Sequence, residues 1–451
     1  MNLQRSGIIQ KRTFSKSNIY EFSQVLEMVQ NFISSKYSML LKNIDDNKEY
    51  QIKSYIKNYI SENKIAVEGL SDEDLVSKLY RDMAQYSFLT PFLNGSRTDV
   101  EEININAWND TKITYSNGDI LPSEENFLSP DHAIDVVRRL LRQSHMILDS
   151  SNPIVRGHLG TNIRVTVLGK GVIDDDTGVV ASIRLVNPQK LGREDFIKKE
   201  TLTEDMMFDL ETLFRYGVSM CITGATGGGK TTLMEYLLST IGNSKRIFTI
   251  ENNTREFNLV KKDEKGKIIN NVIHTVTRYS EDESKNIDQE KLLETALTSN
   301  PDYICVAEMK GSESFAAQEA ARTGHTVITT THANSCDATY PRMVTLCKTK
   351  YDMADKTLYE LVTEAFPIVL FIKKLEDNSR KVMEIKECII HEDGTREKST
   401  LYKYEMYESK LVDGKYQITG KFKKVNNISE GLKKRLLENG MTISELERLV
   451  K

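Results

Sequence analysis

The chain has 451 residues, 39% of them hydrophobic and 28% charged, with 24 Gly and 8 Pro. At roughly 100–200 residues per domain, that length suits about two to four domains, each able to bury a core. The apolar share excludes wholesale disorder, and the low Pro and Gly content excludes collagen-like or linker sequence. Lys and Arg number 61 against 65 Asp and Glu, a net charge of −4. No basic excess marks binding to a phosphate backbone, so nucleic acid is not expected as a direct ligand. The greasiest run, 365–372, is under half of the ~18–20 apolar residues that span a bilayer. Residues 1–20 carry Arg5, Lys11, Arg12 and Lys16 with no apolar stretch behind them, unlike a signal peptide. A cytoplasmic protein is expected. The five cysteines, at 221, 305, 336, 347 and 388, include no CxxC pair, so neither a zinc knuckle nor a disulfide framework is indicated.

In chain order, residues 1–17 read as a flexible arm. Over 18–93 apolar residues fall at helical spacing, with Phe22, Val25, Leu26, Val29 and Phe32 as the first set. Ser71-Asp72-Glu73-Asp74 opens a further helix in the manner of a capping box. A helical bundle is predicted. Over 94–186 the period shifts toward that of strands. Ile103 and Ile105 alternate, 113–115 follows, and Asn117-Gly118 signals a hairpin. A helix near 131–145 and strands at 163–168 and 179–186 complete an α+β domain. Residues 187–203, charged and carrying Pro188 and Gly192, read as an interdomain linker. From 204 to 451 apolar strands at 220–223, 247–250, 303–307, 327–331 and 368–372 alternate with helices, which predicts a parallel α/β sheet. Antiparallel strands over 381–423, with turns at Glu392-Asp393-Gly394 and Val412-Asp413-Gly414, and a helical pair over 429–450 close the chain.

The strongest chemical signal is Gly224-Ala225-Thr226-Gly227-Gly228-Gly229-Lys230-Thr231, followed by Thr232. It fits G-x-x-x-x-G-K-[ST] between a strand and a helix. The glycines let the backbone curl so that several N–H groups and a helix N-terminus converge on one anion. Lys230 would reach the β- and γ-phosphates of ATP, and Thr231 would ligate Mg²⁺. Hydrolysis also needs a carboxylate to orient or deprotonate water. Two apolar strands end in one: 303–307 before Glu308, and 248–250 before Glu251. Glu308 is assigned as the base and Glu251 as second carboxylate to the metal–water shell, directly or through water; the two roles are exchangeable at this stage. His325 and His332 flank a strand and lie roughly 23 Å apart if it is straight, too far to share one ligand. Nucleotide lies at the carboxyl end of a parallel strand, so His332 is expected to sense the γ-phosphate and His325 to face the opposite end or a neighbouring subunit.

These boxes in order resemble the secretion, or traffic, ATPases. They are the phosphate loop, Ile250-Glu251-Asn252-Asn253-Thr254-Arg255-Glu256, Ala307-Glu308-Met309-Lys310-Gly311, and the histidine box from Thr323 to Ser335. Those ATPases are the hexameric motors of type II secretion, type IV pili, Tad pili and conjugative type IV secretion. The likeness covers roughly 75–451 and is nearest the Tad-pilus branch and its conjugative relatives, without the tetracysteine module of many type II motors. It implies an α/β fold, a RecA-like P-loop ATPase domain preceded by a smaller α+β domain and an N-terminal helical bundle. It further implies a homo-oligomeric ring, membrane-embedded platform or secretion-channel proteins as partners, and nucleotide between the two domains. Arg164 and Arg184 match arginines that reach the phosphates from the first domain, and Arg278 matches one between the acidic boxes. Asn252, Ala307, Lys310 and the stretch Thr298 to Asn300 depart from the family pattern, and Lys keeps a charge but loses the planar fork of Arg. A RecA-like nucleic-acid motor and an ATP-bound scaffold with weak hydrolysis are the alternative readings.

Overall fold

The computed structural model describes residues 18–37, 46–97, 99–160, 163–185, 190–253, 255–279 and 282–450; the arm expected over 1–17 lies outside them. The chain divides into two units, Met1–Val186 and Asn187–Lys451.

In the first unit a parallel pair, β1 (Asn18–Tyr20) and β2 (Ile65–Val67), accompanies the helices α1 (Phe22–Tyr37), α2 (Asp46–Asn63) and α3 (Asp72–Ala84). Ser71 caps α3: its hydroxyl accepts from the Asp74 amide at 3.2 Å and donates to the Asp74 carboxylate at 2.6 Å. Val25, Val29 and Ile33 of α1 meet Ile52 and Ile56 of α2 and Leu75 and Leu79 of α3 in a shared core. After α4 (Thr90–Leu93) come β3 (Val100–Ala107), β4 (Asp110–Tyr115), β5 (Ile120–Pro122), α5 (Pro130–Arg142), β6 (Ile154–Leu159), β7 (Ile163–Leu168) and β8 (Val180–Leu185). The strands form an antiparallel sheet in the order β5-β4-β3-β8-β7-β6. Alternation sets its two faces. Ile103, Ile105, Val165, Val167 and Ile183 turn toward Val136, Val137 and Leu140 of α5, which leaves Glu102, Arg164 and Arg184 on the other face.

In the second unit α6 (Arg193–Lys198) and α7 (Glu204–Arg215) precede β9 (Met220–Thr223), α8 (Lys230–Ser239), β10 (Arg246–Glu251) and β11 (Asn271–Val276). Then come α9 (Gln289–Thr298), β12 (Tyr303–Val306), α10 (Glu313–Arg322), β13 (Thr326–Thr331), α11 (Cys336–Cys347), α12 (Asp355–Ala365) and β14 (Ile368–Lys374). The chain ends with β15 (Arg380–Ile390), β16 (Arg396–Val412), β17 (Lys415–Lys424), α13 (Glu430–Glu438) and α14 (Ile443–Leu449). The nine-stranded sheet runs β11-β10-β12-β13-β9-β14-β15-β16-β17. It is parallel from β11 to β14 and antiparallel beyond. Its parallel part is covered on both sides. Met220 and Ile222 of β9 enter one core with α7, α8 and α13, while Cys221 enters the other with α9 to α12. Burial on both faces is why these strands read as unbroken apolar runs instead of alternating ones.

Several elements differ from the sequence expectation. The stretch read as a linker contains α6, and Phe196 and Leu202 are buried in the second unit's core; its charged residues mask two apolar anchors. Strand β11 has no counterpart in the expected set. It is an edge strand of partial burial, so it lacks the apolar run of its neighbours. Strand β6 was likewise unforeseen because Arg156, Gly157 and His158 interrupt it. Among the described residues no helix is long and apolar enough to cross a membrane.

Asp209 of α7 generates a stability prediction. Its carboxylate accepts from the Tyr402 hydroxyl at 2.5 Å. Burial pushes the carboxyl up to about 6 from 3.8, against the pull of that hydrogen bond and of Lys424. Between about pH 4 and 6 the folded chain therefore keeps a proton that the unfolded chain has released. Stability falls as pH rises through this window, by on the order of 2–3 kcal/mol, and the deficit persists above it. Asp209→Asn keeps an acceptor for Tyr402 and is expected to raise Tm at pH 7 while leaving Tm at pH 4 near wild type. Equal shifts at both pH values would contradict the assignment.

Candidate active site

Strand β9 ends at the fully buried Thr223, and the chain turns through Gly224 (φ +147°), Gly227 (φ +74°) and Gly229 (φ +95°) into α8. These angles lie in the region that only glycine enters without strain. Gly224 has a steric reason as well: a Cβ there would lie 2.1 Å from the carbonyl oxygen of Ile372 in β14. Gly229 stands at the N-cap of α8 with no side-chain cap bond, which leaves first-turn amides of the helix open to an anion. The amide of Gly228 donates to the Ala225 carbonyl at 3.2 Å and closes a turn at the crown. Ala225 and Thr226 are exposed, and Thr231 and Thr232 are half-buried on the first turn of the helix. Lys230 is buried; its ammonium donates to the carbonyls of Gly224 at 2.8 Å and Ala225 at 2.9 Å.

Two neighbouring strands bring the other groups to this loop. His332 follows the last residue of β13, and Glu308 lies just past the end of β12. His332 Nδ1 donates to the Gly224 carbonyl at 3.0 Å, and Lys230 Nζ lies 3.5 Å from the same ring nitrogen. The other ring nitrogen, Nε2, faces Glu308 Oε1 at 2.8 Å, an ion pair whenever the ring is doubly protonated. Lys310 places its ammonium 2.9 Å from Glu308 Oε2, and the Gln289 side-chain amide donates to the Glu308 carbonyl at 3.2 Å. Lys230, His332 and Glu308 thus form one contact chain at the carboxyl edge of the sheet. His325 lies at the other end of β13, where its Nδ1 donates to the Pro301 carbonyl at 2.9 Å.

Glu251 is differently placed. It is 1% exposed, and one carboxylate oxygen accepts from the amides of Glu256 and of Phe257, the latter at 2.9 Å. The other oxygen accepts from the Thr249 hydroxyl at 3.1 Å and lies 3.5 Å from His274 Nδ1. Oε2 thereby holds the loop that follows β10, while Oε1 is engaged within the sheet by residues of β10 and β11. The geometry separates the two glutamates: Glu308 faces the phosphate loop through His332, and Glu251 anchors a loop. Among the described residues no group of three or more His, Cys, Asp or Glu could hold a metal ion.

The arginines fall in separate places. In the first unit Arg164 and Arg184 are register partners on β7 and β8, flanked by His158 on one side and Glu102 on the other. Burial, with the charge of Arg164, pushes His158 down to about 4, so near neutral pH the ring adds no charge to the guanidinium pair. Arg278 is exposed just beyond β11, where its main chain exchanges hydrogen bonds with Ile287 at 2.8 Å. Arg380 carried no sequence signal. It opens β15, and its Nε donates to the carbonyl of Gly227 in the phosphate loop at 3.0 Å.

Known proteins resemble the chain at low identity. The uncharacterized protein MJ0900 of Methanocaldococcus jannaschii is 25% identical over 60% of this chain and 47% of its own length. An uncharacterized protein of Bacillus anthracis is 22% identical over 79% of this chain and 78% of its own. The type IV secretion system protein PtlH of Bordetella pertussis is 31% identical over 38% of this chain and 50% of its own. The chain spans about half the length of the M. jannaschii and B. pertussis relatives. Among solved structures, the pilus retraction motor PilT with bound ADP is 19% identical at a TM-score of 0.48, over 81% of this chain and 90% of its own. The model of the Type II/IV secretion system protein family matches residues 162–426, more than half of the sequence; the chain belongs to that family.

Proposed function

We propose that this chain is an ATP hydrolase that powers a secretion, pilus-assembly or conjugative transfer machine. One observation carries the reading. Lys230 and His332 both bond the carbonyl of Gly224, at 2.8 and 3.0 Å, and Glu308 stands 2.8 Å behind the histidine. A phosphate-type loop, an ammonium, a ring N–H and a carboxylate on one sheet edge are the parts that phosphoryl transfer to water requires.

In this reading the amides of the glycine loop and of the first turn of α8 cradle the phosphates, and Lys230 leaves its two carbonyls to meet the β- and γ-oxygens. His332 reads the γ-phosphate, and Glu308 orients and deprotonates the attacking water. The Thr231 hydroxyl would hold Mg²⁺, which supplies charge neutralisation on the phosphates when bound. Glu251 sets the shape of the adjoining loop. Arg164 and Arg184, paired on the open face of the first unit's sheet, and Arg278 are the candidates for stabilising charge on the transferring phosphoryl group. Hydrolysis removes the γ-phosphate contacts, and segments ordered by them are released. We place the chain in a homohexameric ring at the cytoplasmic face of a membrane, with platform or channel proteins as partners. The helical region 18–93 is proposed as docking surface, 94–186 as the α+β domain and 204–451 as the motor. The Tad-pilus branch is the finer placement we favour; its support is that the five buried cysteines form no metal-holding group among the described residues, unlike those of a tetracysteine module.

Three substitutions test the reading. Glu308→Gln is expected to bind ATP within about threefold of wild type while turnover falls by at least about a hundredfold; normal turnover would remove Glu308 from the base role. Lys230→Ala should abolish tight ATP binding, measured by equilibrium titration, and unchanged affinity would refute the phosphate-loop role. Gly224→Ala should abolish binding too, because its Cβ would meet the Ile372 carbonyl; wild-type affinity in that variant would show that the loop tolerates a different path. A steep rise in ATPase activity on adding single-stranded DNA at low salt would favour a nucleic-acid motor instead.

A further inference from the structure

We infer that Arg380 is a positioning residue of the phosphate loop, holding its crown from outside while Lys230 works from within; the inference rests on the ATP reading above. The loop has an unusual need for such a hold. Gly224, Gly227 and Gly229 all adopt positive φ, so ordering this segment costs more backbone entropy than ordering ordinary residues, and glycines have no side chains to offset it. The restraint comes from outside the loop. From β14, the Ile372 carbonyl abuts Gly224 and the Ile372 side chain lies 3.5 Å from a Cβ built on Gly229. From β15, Arg380 Nε donates to the Gly227 carbonyl at 3.0 Å, and its Cδ lies 3.2 Å from the same Cβ position on Gly229. One side chain therefore lies across both left-handed glycines of the loop's second half.

The strand that presents Arg380 is itself fastened. The turn between β14 and β15 is closed by the Leu375 amide on the Ser379 carbonyl at 2.8 Å and by the Ser379 amide on the Asp377 carboxylate at 3.0 Å. Two residues on, the Val382 amide donates to the Thr201 carbonyl at 2.8 Å. Arg380 is thus delivered from a fixed point.

The two cations differ in what nucleotide would ask of them. Lys230 spends donors on the carbonyls of Gly224 and Ala225, and must redirect some of them to meet phosphate oxygens. Arg380 instead spends its Nε on a carbonyl of the loop itself, that of Gly227. When Lys230 turns to its substrate, Arg380 is the charged donor that still holds the curl. Donation to the Gly227 carbonyl also polarises that peptide group, which strengthens the Gly228 N–H as the donor that closes the crown onto the Ala225 carbonyl.

The test compares full-length wild type, Arg380→Ala, Arg380→Lys and Lys230→Ala by equilibrium binding of ATP and of ADP, steady-state ATPase kinetics and thermal midpoint. Arg380→Ala should weaken both nucleotides by about tenfold, with KM raised by a similar factor and kcat within about twofold, as for loss of uniform binding. Ethylguanidinium in solution should restore much of that affinity, which a lost packing contact would not allow. Arg380→Lys should fold like wild type and still bind about threefold more weakly or worse, because a point charge does not reproduce the Nε bond. Wild-type affinity in both Arg380 variants, beside lost binding in Lys230→Ala, would overturn the role of Arg380 and leave the ATP reading standing. Unchanged affinity in Lys230→Ala would instead overturn the ATP reading itself.

Discussion

Register between parallel strands is the constraint on which the site depends. Thr331 pairs with Thr223 and Val306 pairs with Thr329, so β9, β13 and β12 end side by side at one edge of the sheet. The residues that follow those ends are Gly224, His332 and, two positions on, Glu308. Their contact is therefore a consequence of strand pairing, and the strand pairing follows from burial. Apolar residues on both faces of each strand leave no alternative register that keeps them all dry. A slip by one residue would turn Met220 and Ile222 into the core that now holds Cys221, and would carry the histidine away from the loop.

The same edge shows how equivalent sequence signals acquire different chemistry. Glu251 and Glu308 each terminate an apolar strand, and nothing in their local sequence ranks one above the other. Folding does so. The chain after Glu251 curls back, so that the amides of Glu256 and Phe257 bond its carboxylate, whereas the chain after Glu308 runs on past Lys310 toward α10. One carboxylate is consumed in building a loop, and the other keeps a side chain 24% exposed beside a histidine and a lysine. A base needs access to water, which is why the proposed base role goes to Glu308.

Much of this architecture was legible in the sequence, for identifiable reasons. The doubly buried strands β9, β10, β12, β13 and β14 stood out as apolar runs, the phosphate loop as a motif between strand and helix, and the hairpin ends as Asp-Gly turns. Asp413 and Gly414 take the left-handed angles that such a turn requires. The features without a sequence signal are marginal in burial or long in range. Strand β11 sits on an edge, β6 is broken up by Arg156, Gly157 and His158, and Phe196 and Leu202 are isolated apolar residues among charges. Arg380 could not have been found from any local pattern, because its partner Gly227 is distant in sequence and the two meet only when β15 folds beside the loop.

The most direct measurement is a structure of the protein with Mg²⁺ and a non-hydrolysable ATP analogue. The account predicts the triphosphate curled within the Gly224–Thr231 segment, Lys230 turned from the carbonyls of Gly224 and Ala225 onto phosphate oxygens, and the His332–Glu308 pair facing the terminal phosphate. Analogue bound elsewhere, with Lys230 still bonded to those carbonyls, would contradict it.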